Sequence, residues 1–173
     1  MENYKVISIG MGQCSSVLPF MKKWLFPLDY DEIIFANTGY ELDLTYEHLK
    51  IMQKEFPITV LNTDFKHWNP PICTKESKIL PIRRYLRSKG VKKCIMYLGY
   101  TIEEKKRVKK SDVKWVEIRY PLIERGFTRK DCQKYLLENL GYVPPRSGCI
   151  TCRYFDREHL ITRDKEKSIL VIR

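Results

Sequence analysis

The sequence predicts a three-layer α/β/α domain built on a five-stranded, mainly parallel sheet. Three observations support this fold class. Short runs rich in β-branched and apolar residues alternate with longer segments of helical periodicity. The first run, 5–9, leads through a glycine-containing loop into a second apolar stretch, which is the order of strand, loop and helix. The 173 residues, 43% of them hydrophobic, are enough for one domain with a substantial core.

The predicted strands are short and β-branched, and they cover 4–9, 32–36, 58–62, 94–98 and 114–119. The predicted helices cover 15–26, 42–55, 78–89, 102–110 and 128–140. The last helix has the clearest ends: Thr128 is the predicted N-cap, Asp131 lies in the first turn, and Gly141 follows the last apolar turn. Pro81 falls in the first turn of its helix, where proline is tolerated.

Two segments, 63–77 and 141–154, are rich in proline, glycine and polar residues and do not fit this alternation. Each contains cysteine, and no linker or repeat separates either of them from the rest of the chain. We therefore predict a single domain over 1–173, with two functional loops and a cysteine-containing C-terminal segment over 141–173.

The chain is basic, with 32 Lys and Arg against 21 Asp and Glu and a formal net charge of +11. This excess favours polyanionic partners, either nucleic acid or phosphorylated small molecules; a Lys-rich solvated surface is the alternative. No apolar run approaches the ~18 residues of a membrane span, and the start lacks the pattern of a signal peptide. The sequence therefore predicts a cytoplasmic protein that does not associate with membranes.

The loop 10–16 follows the first predicted strand and contains the candidate phosphate ligands Gly10, Gly12, Ser15 and Ser16. A glycine turn that leads into a helix presents unpaired backbone N–H groups and the positive end of the helix dipole, which together bind phosphate. The glycines permit close backbone approach, and either serine adds a hydroxyl donor. The loop is neither a Walker A motif nor a dinucleotide fingerprint, and a plain tight turn is the alternative.

A second loop, 35–41, follows the next predicted strand and is expected at the same edge of the sheet. Its Asn37, Thr38 and Gly39 are candidate ligand contacts. Asn37 and Thr38 also fit a cap of the helix that follows, and from the local sequence alone we favour the cap.

Six cysteines are many for a cytoplasmic chain, where paired cysteines bind metal or perform redox chemistry more often than they form disulfides. Cys149 and Cys152 are spaced to bind one metal centre, and Cys73 lies 76 positions before Cys149. Three cysteines from two loops fit an iron–sulfur cluster with one open coordination position. A zinc ion with a His ligand and a disulfide are the alternatives. Cys94 and Cys132 are predicted core residues.

Basic residues cluster in two predicted helices, at Arg83, Arg84, Arg87, Lys105, Lys106, Arg107, Lys109 and Lys110. Part of this set is a candidate phosphate or nucleic-acid surface, and a solvated helix face is an equal alternative. The three His residues show no catalytic arrangement in the sequence.

A series of motifs runs through nearly the whole chain. They are Gly-Met-Gly-Gln-Cys-Ser at 10–15, Ala-Asn-Thr-Gly at 36–39, Cys-Thr at 73–74 with Lys-Ile-Leu-Pro-Ile-Arg-Arg at 78–84, Gly-Tyr-Thr-Ile-Glu-Glu-Lys-Lys-Arg at 99–107, and the stretches 120–124, 128–132 and 147–152. In this order they resemble the phosphoadenosine phosphosulfate (PAPS) reductase family, within the adenine nucleotide α-hydrolase or ATP pyrophosphatase group. The first motif is most similar to a branch common in phages and mobile elements, related to the sulfur-transfer proteins of DNA phosphorothioation.

The resemblance implies that Gly10, Gly12 and Ser15 bind the phosphates of an adenine nucleotide, which is ATP, PAPS or adenylyl sulfate (APS). Ser8, Ser16 and the residues Asn37, Thr38 and Gly39 would lie beside that nucleotide. Mg²⁺ is the metal ion expected with it.

The resemblance also implies roles for residues further along the chain. Arg107 would face the phosphates or the second substrate and is a candidate catalytic residue. Cys73, Cys149 and Cys152 would hold the iron–sulfur cluster, with zinc as the alternative metal.

Two chemistries follow from the resemblance: reduction of an adenylyl sulfate, or ATP-dependent activation of a nucleic acid for sulfur insertion. Sulfonucleotide reductases use a cysteine in a C-terminal tail as the nucleophile, and no cysteine follows Cys152. We therefore expect sulfur transfer to tRNA or DNA with the iron–sulfur cluster, and the alternative is a sulfonucleotide reductase that uses an external thiol. A homodimer is a further expectation.

Three departures from the family's pattern bear on activity. Cys14 stands where the family has Asp or Gln, and Asn37 and Glu103 stand where it has Asp. These changes are expected to weaken Mg²⁺ positioning, because Mg²⁺ requires oxygen ligands in strict geometry. Cys14 is a candidate catalytic residue as a sulfur carrier, and its alternatives are a fourth cluster ligand or lost catalysis. In the last case the protein would be a catalytically degenerate nucleotide-binding module of a phage or virus.

Overall fold

The computed structural model describes residues 3–24, 27–63 and 74–149. Within these ranges five strands form one sheet: β1 (Tyr4–Ile9), β2 (Glu32–Asn37), β3 (Ile58–Asn62), β4 (Cys94–Leu98) and β5 (Val116–Arg119). The strands predicted from β-branched runs therefore match the observed ones to within two residues at each end.

The described helices are α1 (Asp43–Glu55), α2 (Leu80–Ser88), α3 (Pro121–Glu124) and α4 (Arg129–Leu140), with two 3₁₀ helices, Ser15–Lys23 and Ile102–Arg107, and a π-helical turn, Lys75–Ile79. The predicted ends of α4 are confirmed. Thr128 forms a capping box with Asp131, and Gly141 ends the helix in the left-handed conformation. None of the helices in the described part of the chain combines the length and hydropathy needed to cross a bilayer.

All strand pairings are parallel, and the strand order is β3-β2-β1-β4-β5. The chain runs from the centre outward through β2 and β3, then returns to the other side of β1 for β4 and β5. The loops after β1 and β4 therefore leave the sheet in opposite directions. In parallel α/β sheets this switch point opens a crevice at the carboxyl ends of the strands, where ligands bind.

Helices cover both faces of the sheet, which confirms the three-layer fold class. In β2, Ile33 and Phe35 pack on one side with the first 3₁₀ helix, α1 and α4. Ile34 and Ala36 point to the other side and pack against α2. Each fully buried aliphatic or aromatic side chain contributes about 1.5–3 kcal/mol to the free energy of folding. Burial of apolar side chains on both faces of the sheet therefore provides most of the free energy that holds the three layers together.

The helix predicted over 15–26 is a 3₁₀ helix over Ser15–Lys23. Pro19 lies inside it and has no N–H for the α-helical bond to the carbonyl four residues before it. Residues 25 and 26, the end of that prediction, lie outside the described part of the chain. The predicted helix is therefore present over the described residues but is of the 3₁₀ type, and its apolar residues are buried.

Two other helices differ from their predicted extent. The segment predicted over 102–110 is a 3₁₀ helix that ends at Arg107 and has no buried residue, so it lacks the apolar face that would stabilise an α-helix. The helix predicted over 78–89 begins earlier, as the π-helical turn that directly precedes α2. Pro81 lies in the first turn of α2, as predicted. The short helix α3 was not predicted, because four residues carry too little periodicity.

Candidate functional site

A cleft of about 1060 Å³ opens at the switch point between β1 and β4. Its walls include the end of β1, the loop that follows it, the segment after β4 and residue Ser147. Ser8, Gly10, Gly12, Cys14 and Ser15, all predicted site residues, line this cleft. These predicted residues thus lie at the edge of the sheet where the cleft opens, and their role in binding stays a prediction.

The loop of residues 10–15, here called the phosphate loop, curls around the Ser15 hydroxyl. The backbone amides of Gly10 and Gly12 both donate to Ser15 Oγ, at 3.2 and 3.3 Å. Met11 between them is fully buried and adopts φ 55°, a left-handed conformation that is rare for residues other than glycine. Two amides that converge on one oxygen form an anion-binding concavity. The loop therefore has the geometry to bind a phosphate oxygen.

Only glycine fits at position 12, because the backbone of residue 147 lies directly against it. A Cβ there would lie 2.7 Å from Ser147 Oγ and 2.9 Å from the backbone nitrogen of Ser147. The segment before Cys149 thus packs directly on the phosphate loop. This contact connects the loop to the predicted metal-binding segment.

Cys14 lies in the phosphate loop next to the thiol of Cys132, near the start of α4. A hydrogen bond from the Cys132 thiol lowers the pKa of Cys14, and the nearby Arg129 adds to this effect. The same contact, together with burial, raises the pKa of Cys132 above its usual range. A hydrogen bond of 3.0 Å from Gln133 Nε2 to Gln13 Oε1 holds the two segments together. Cys14 is therefore the thiol of the pair that ionises first.

Cys132 and Cys94 are buried, which confirms that both are core residues. The proximity of Cys132 to Cys14 was not predicted, because nothing local in the sequence connects the two positions. In the described residues, Cys14, Cys94, Cys132 and Cys149 are free thiols.

Ser16 faces away from the cleft, into a buried chain of hydrogen bonds. Its Oγ is 2.8 Å from His48 Nε2, and His48 Nδ1 is 2.7 Å from Tyr142 Oη. Ser16 and His48 are buried, and burial lowers the pKa of His48 to about 4. This chain joins the first 3₁₀ helix to α1 and to the segment after α4. No local pattern in the sequence predicts this chain of hydrogen bonds, and its position in the interior indicates that it anchors the phosphate loop.

Asn37 holds the turn after β2. Its Oδ1 accepts hydrogen bonds from the Gly39 amide and Tyr46 Oη, both at 2.9 Å, and its Nδ2 donates to Asn62 at 3.0 Å. The favoured prediction that this loop caps the following helix is wrong, because α1 begins only at Asp43 and has no side-chain cap. As far as the described residues define the cleft, the predicted nucleotide contacts at 37–39 lie outside its walls.

Thr38, Glu41 and Cys149 form a second polar cluster beside this turn. Thr38 Oγ1 donates to Glu41 Oε1 at 3.1 Å and lies 3.4 Å from Cys149 Sγ. Cys149 Sγ donates to the same Glu41 oxygen at 3.6 Å. Burial and the Glu41 carboxylate raise the pKa of Cys149. Glu41 Oε2 is buried and, in the part of the chain that the structure describes, has no hydrogen-bond partner.

The other two predicted cluster ligands, Cys73 and Cys152, lie outside the described residues. Within 3–24, 27–63 and 74–149, no group of three or more His, Cys, Asp or Glu side chains is placed to hold a metal ion. A buried carboxylate oxygen without a partner next to a cysteine nevertheless fits a cation. The described part of this site is thus compatible with the metal predicted for Cys149.

Basic side chains surround the cleft, at Lys75, Lys78, Arg83, Lys106, Arg107, Lys109, Lys110, Arg129 and Arg146. The carboxylates that line the described part of the cleft belong to Glu104 and Asp112, and each forms an ion pair with an arginine, Arg107 and Arg83 respectively. The cleft therefore favours a ligand with several negative charges.

Arg107, a predicted catalytic residue, lines the cleft and lies over the ring of Tyr100, 4.5 Å from its centroid. Its side chain is 61% exposed, so it can reorient toward a ligand. By contrast, Arg87 of the predicted basic set stacks on Trp115 and donates to the Val91 carbonyl, away from the cleft walls.

The strand order and the all-parallel sheet match the fold of PAPS reductases. The chain is similar to the crystal structure of a PAPS reductase from Candida auris in complex with phosphate. The TM-score is 0.63 at 14% identity, over 84% of this chain and 76% of that one. At this identity the likeness shows the fold alone. No family model matches the chain, and no curated protein matches it in sequence.

Proposed function

We propose that this protein binds an adenine nucleotide in the cleft, with the nucleotide's phosphates on the phosphate loop. The observation that carries the proposal is the convergence of the Gly10 and Gly12 amides on Ser15 Oγ at the switch point of the sheet. A phosphate oxygen fits the same donors, and Ser15 then adds its hydroxyl. The fold shared with a reductase solved in complex with phosphate supports the same class of ligand.

We propose further that the reaction is ATP-dependent sulfur transfer to a nucleic acid. An oxygen of the acceptor would attack the α-phosphorus of ATP, and pyrophosphate would leave. A sulfur nucleophile would then attack the acceptor atom that bears the adenylated oxygen, and AMP would leave with that oxygen. The loop amides stabilise negative charge on the phosphates, and Arg107 neutralises the departing pyrophosphate.

The thiol of Cys14 supports sulfur chemistry at this site, because it lies in the phosphate loop and lines the cleft. Its lowered pKa favours the thiolate, which is the nucleophilic form of a cysteine. We propose that Cys73, Cys149 and Cys152 hold an iron–sulfur cluster, which when bound would supply an open iron site for sulfide.

A nucleic-acid acceptor is supported by the charge and size of the cleft. Its volume of about 1060 Å³ lies at the upper end of ligand pockets, which are about 300–1,000 Å³. The Lys and Arg side chains that line the cleft beyond the phosphate loop can pair with the phosphates of an extended backbone.

The test is to purify the full chain without oxygen and measure ATP binding by calorimetry, then pyrophosphate release with and without tRNA or duplex DNA. We expect ATP binding that is lost in Ser15→Ala, and pyrophosphate release that depends on the nucleic acid. A matched control is Ser88→Ala at the end of α2, far from the cleft walls. Sulfite release from PAPS or APS with an external dithiol would instead favour a sulfonucleotide reductase. Binding without either product would leave a nucleotide-binding module.

A further inference from the structure

We propose that Glu41 and Cys149 together bind a transition-metal ion, with the Glu41 carboxylate as an oxygen ligand beside the Cys149 thiolate. The inference rests on the part of the proposed function that assigns Cys149 to a metal centre, and it is independent of nucleotide binding. It assigns a ligand that the cysteine pattern of the sequence does not contain.

The backbone brings the two residues together. Glu41 lies between β2 and α1, and Cys149 lies after α4, yet the two form an isolated antiparallel bridge. Their side chains meet on the same side of this bridge, with Cys149 Sγ 3.6 Å from Glu41 Oε1. The Thr38 hydroxyl contacts both side chains and so helps to fix their relative position.

The two oxygens of Glu41 differ in their surroundings. Oε1 accepts hydrogen bonds from Thr38 and Cys149, and Lys78 Nζ lies 3.3 Å from it. Oε2 is buried and has no partner among the described residues, and the Glu41 side chain as a whole has no exposed surface. Burial of a carboxylate oxygen without a partner is strongly unfavourable, and native structures satisfy such atoms with a hydrogen bond, water or an ion.

Glu41 differs from the other buried atoms that lack a partner. Within the described residues these are the hydroxyls of Thr45 and Thr101. A neutral hydroxyl group can rotate its proton, and its burial without a partner costs far less than that of a carboxylate oxygen. Glu41 Oε2 can only accept, so a hydrogen-bond donor or a cation is the partner that its chemistry requires, and a metal ion beside the Cys149 thiol is such a cation.

The donor atoms select the class of metal. A thiolate and a carboxylate together suit Zn²⁺ or iron, whereas Ca²⁺ and Mg²⁺ prefer sites built from oxygen alone. Displacement of the Cys149 proton by the metal would also remove its hydrogen bond to Glu41 and leave both groups free to coordinate.

The experiment uses the full chain, purified without metal and titrated with Zn²⁺ against a chromophoric chelator, and separately with Fe²⁺ and sulfide under nitrogen. We expect Glu41→Gln and Cys149→Ser each to weaken Zn²⁺ binding at least ten-fold. The matched control is Glu32→Gln on β2. Glu32 already has four partners (Tyr4, Thr59, Tyr85 and Lys89), so this variant should leave Zn²⁺ affinity unchanged. Thermal melts verify that each variant is folded.

A second measurement needs no variant. X-ray absorption at the metal edge of the loaded wild-type protein should show sulfur together with at least one light oxygen or nitrogen scatterer. A shell of sulfur alone, or unchanged affinity in Glu41→Gln, would overturn the proposal. So would wild-type protein that binds no metal, and if that protein still bound ATP, nucleotide binding would stand without this metal site.

Discussion

Gly99 lies against the backbone of Ser15 at a distance that excludes any side chain. A Cβ at position 99 would lie 2.4 Å from Ser15 Cα and 2.7 Å from its backbone nitrogen. Gly99 directly follows β4, whereas Ser15 ends the phosphate loop that follows β1. The end of β4 therefore supports the loop from behind, at the point where the sheet switches direction.

Gly99→Ala should displace the phosphate loop and weaken nucleotide binding. The clash is with backbone atoms, and overpacking of this kind costs about 1–3 kcal/mol. We expect ATP affinity to fall roughly 10-fold to 100-fold, since about 1.4 kcal/mol corresponds to ten-fold. The melting temperature should fall by roughly 3–10 °C for a chain of this size.

The control for this variant is Gly10→Ala in the same loop. A Cβ at Gly10 would lie 3.5 Å from its nearest neighbour, which is ordinary contact. Gly10→Ala should therefore melt like the wild type. If Gly99→Ala and Gly10→Ala had equal melting temperatures in a thermal denaturation scan, the close packing of Gly99 on Ser15 would be contradicted.

Arg107→Ala should weaken ATP binding about ten-fold, since one hydrogen bond to a charged group contributes about 1.5–3 kcal/mol and Arg107 must first leave Glu104. Calorimetry at fixed ionic strength measures the change. Arg84→Ala is the matched control, because Arg84 is an exposed arginine that lies outside the described walls of the cleft. Equal affinity for the two variants would remove Arg107 from the nucleotide site.

Cys14 should react with iodoacetamide at lower pH than an ordinary cysteine. The hydrogen bond from Cys132 lowers its pKa, whereas burial raises the pKa of Cys94 to about 11. The rate of modification at Cys14, followed by mass spectrometry of its peptide, should reach half its maximum below pH 9, at lower pH than for an unperturbed thiol.

The variant Cys132→Ala removes the hydrogen bond that stabilises the Cys14 thiolate. The midpoint of the pH–rate profile should therefore move upward in this variant, and Arg129→Gln should move it in the same direction by less. Cys94→Ala, which changes a buried thiol elsewhere, is the control and should leave the profile in place. A profile that is insensitive to Cys132 would contradict the interaction between the two thiols.

The strands and the phosphate loop can be predicted from the sequence because their signals are local. β1 has the predicted bounds, since its β-branched run is continuous and a glycine loop ends it. The capping box of Thr128 and Asp131 likewise spans one helical turn. A cap prediction fails at Asn37, because the turn at Gly39, with φ 77°, delays the start of α1 to Asp43.

The partners that hold the site together cannot be predicted in this way, because they are distant in the sequence. His48 bonds to residues 32 and 94 positions away, and no local pattern marks it as more than a helix residue. Ser147 and Gly99 approach the phosphate loop only after the sheet has formed. The chemistry of Cys14 likewise depends on Cys132, which enters from a separate helix.

The buried His48 should make the protein less stable in acid. Burial lowers its pKa to about 4, whereas an unfolded histidine has a pKa of about 6.5. Between these values the unfolded chain binds the proton and the folded protein does not, so stability is fully present above pH 6.5 and declines toward pH 4. The loss attributable to this group approaches about 3 kcal/mol.

His48→Gln tests this prediction, because it removes the titrating group and leaves a polar side chain near Ser16 and Tyr142. Melting temperatures are measured from pH 7.5 to pH 4.5 for the wild type, for His48→Gln and for His159→Gln as the control. The carboxylates titrate in all three proteins, so the informative quantity is the difference between the curves. We expect the wild type and His159→Gln to lose stability in parallel as the pH falls, and His48→Gln to lose roughly 6–12 °C less. Three parallel curves would mean that His48 has the same pKa in the folded and in the unfolded protein, and would contradict the prediction.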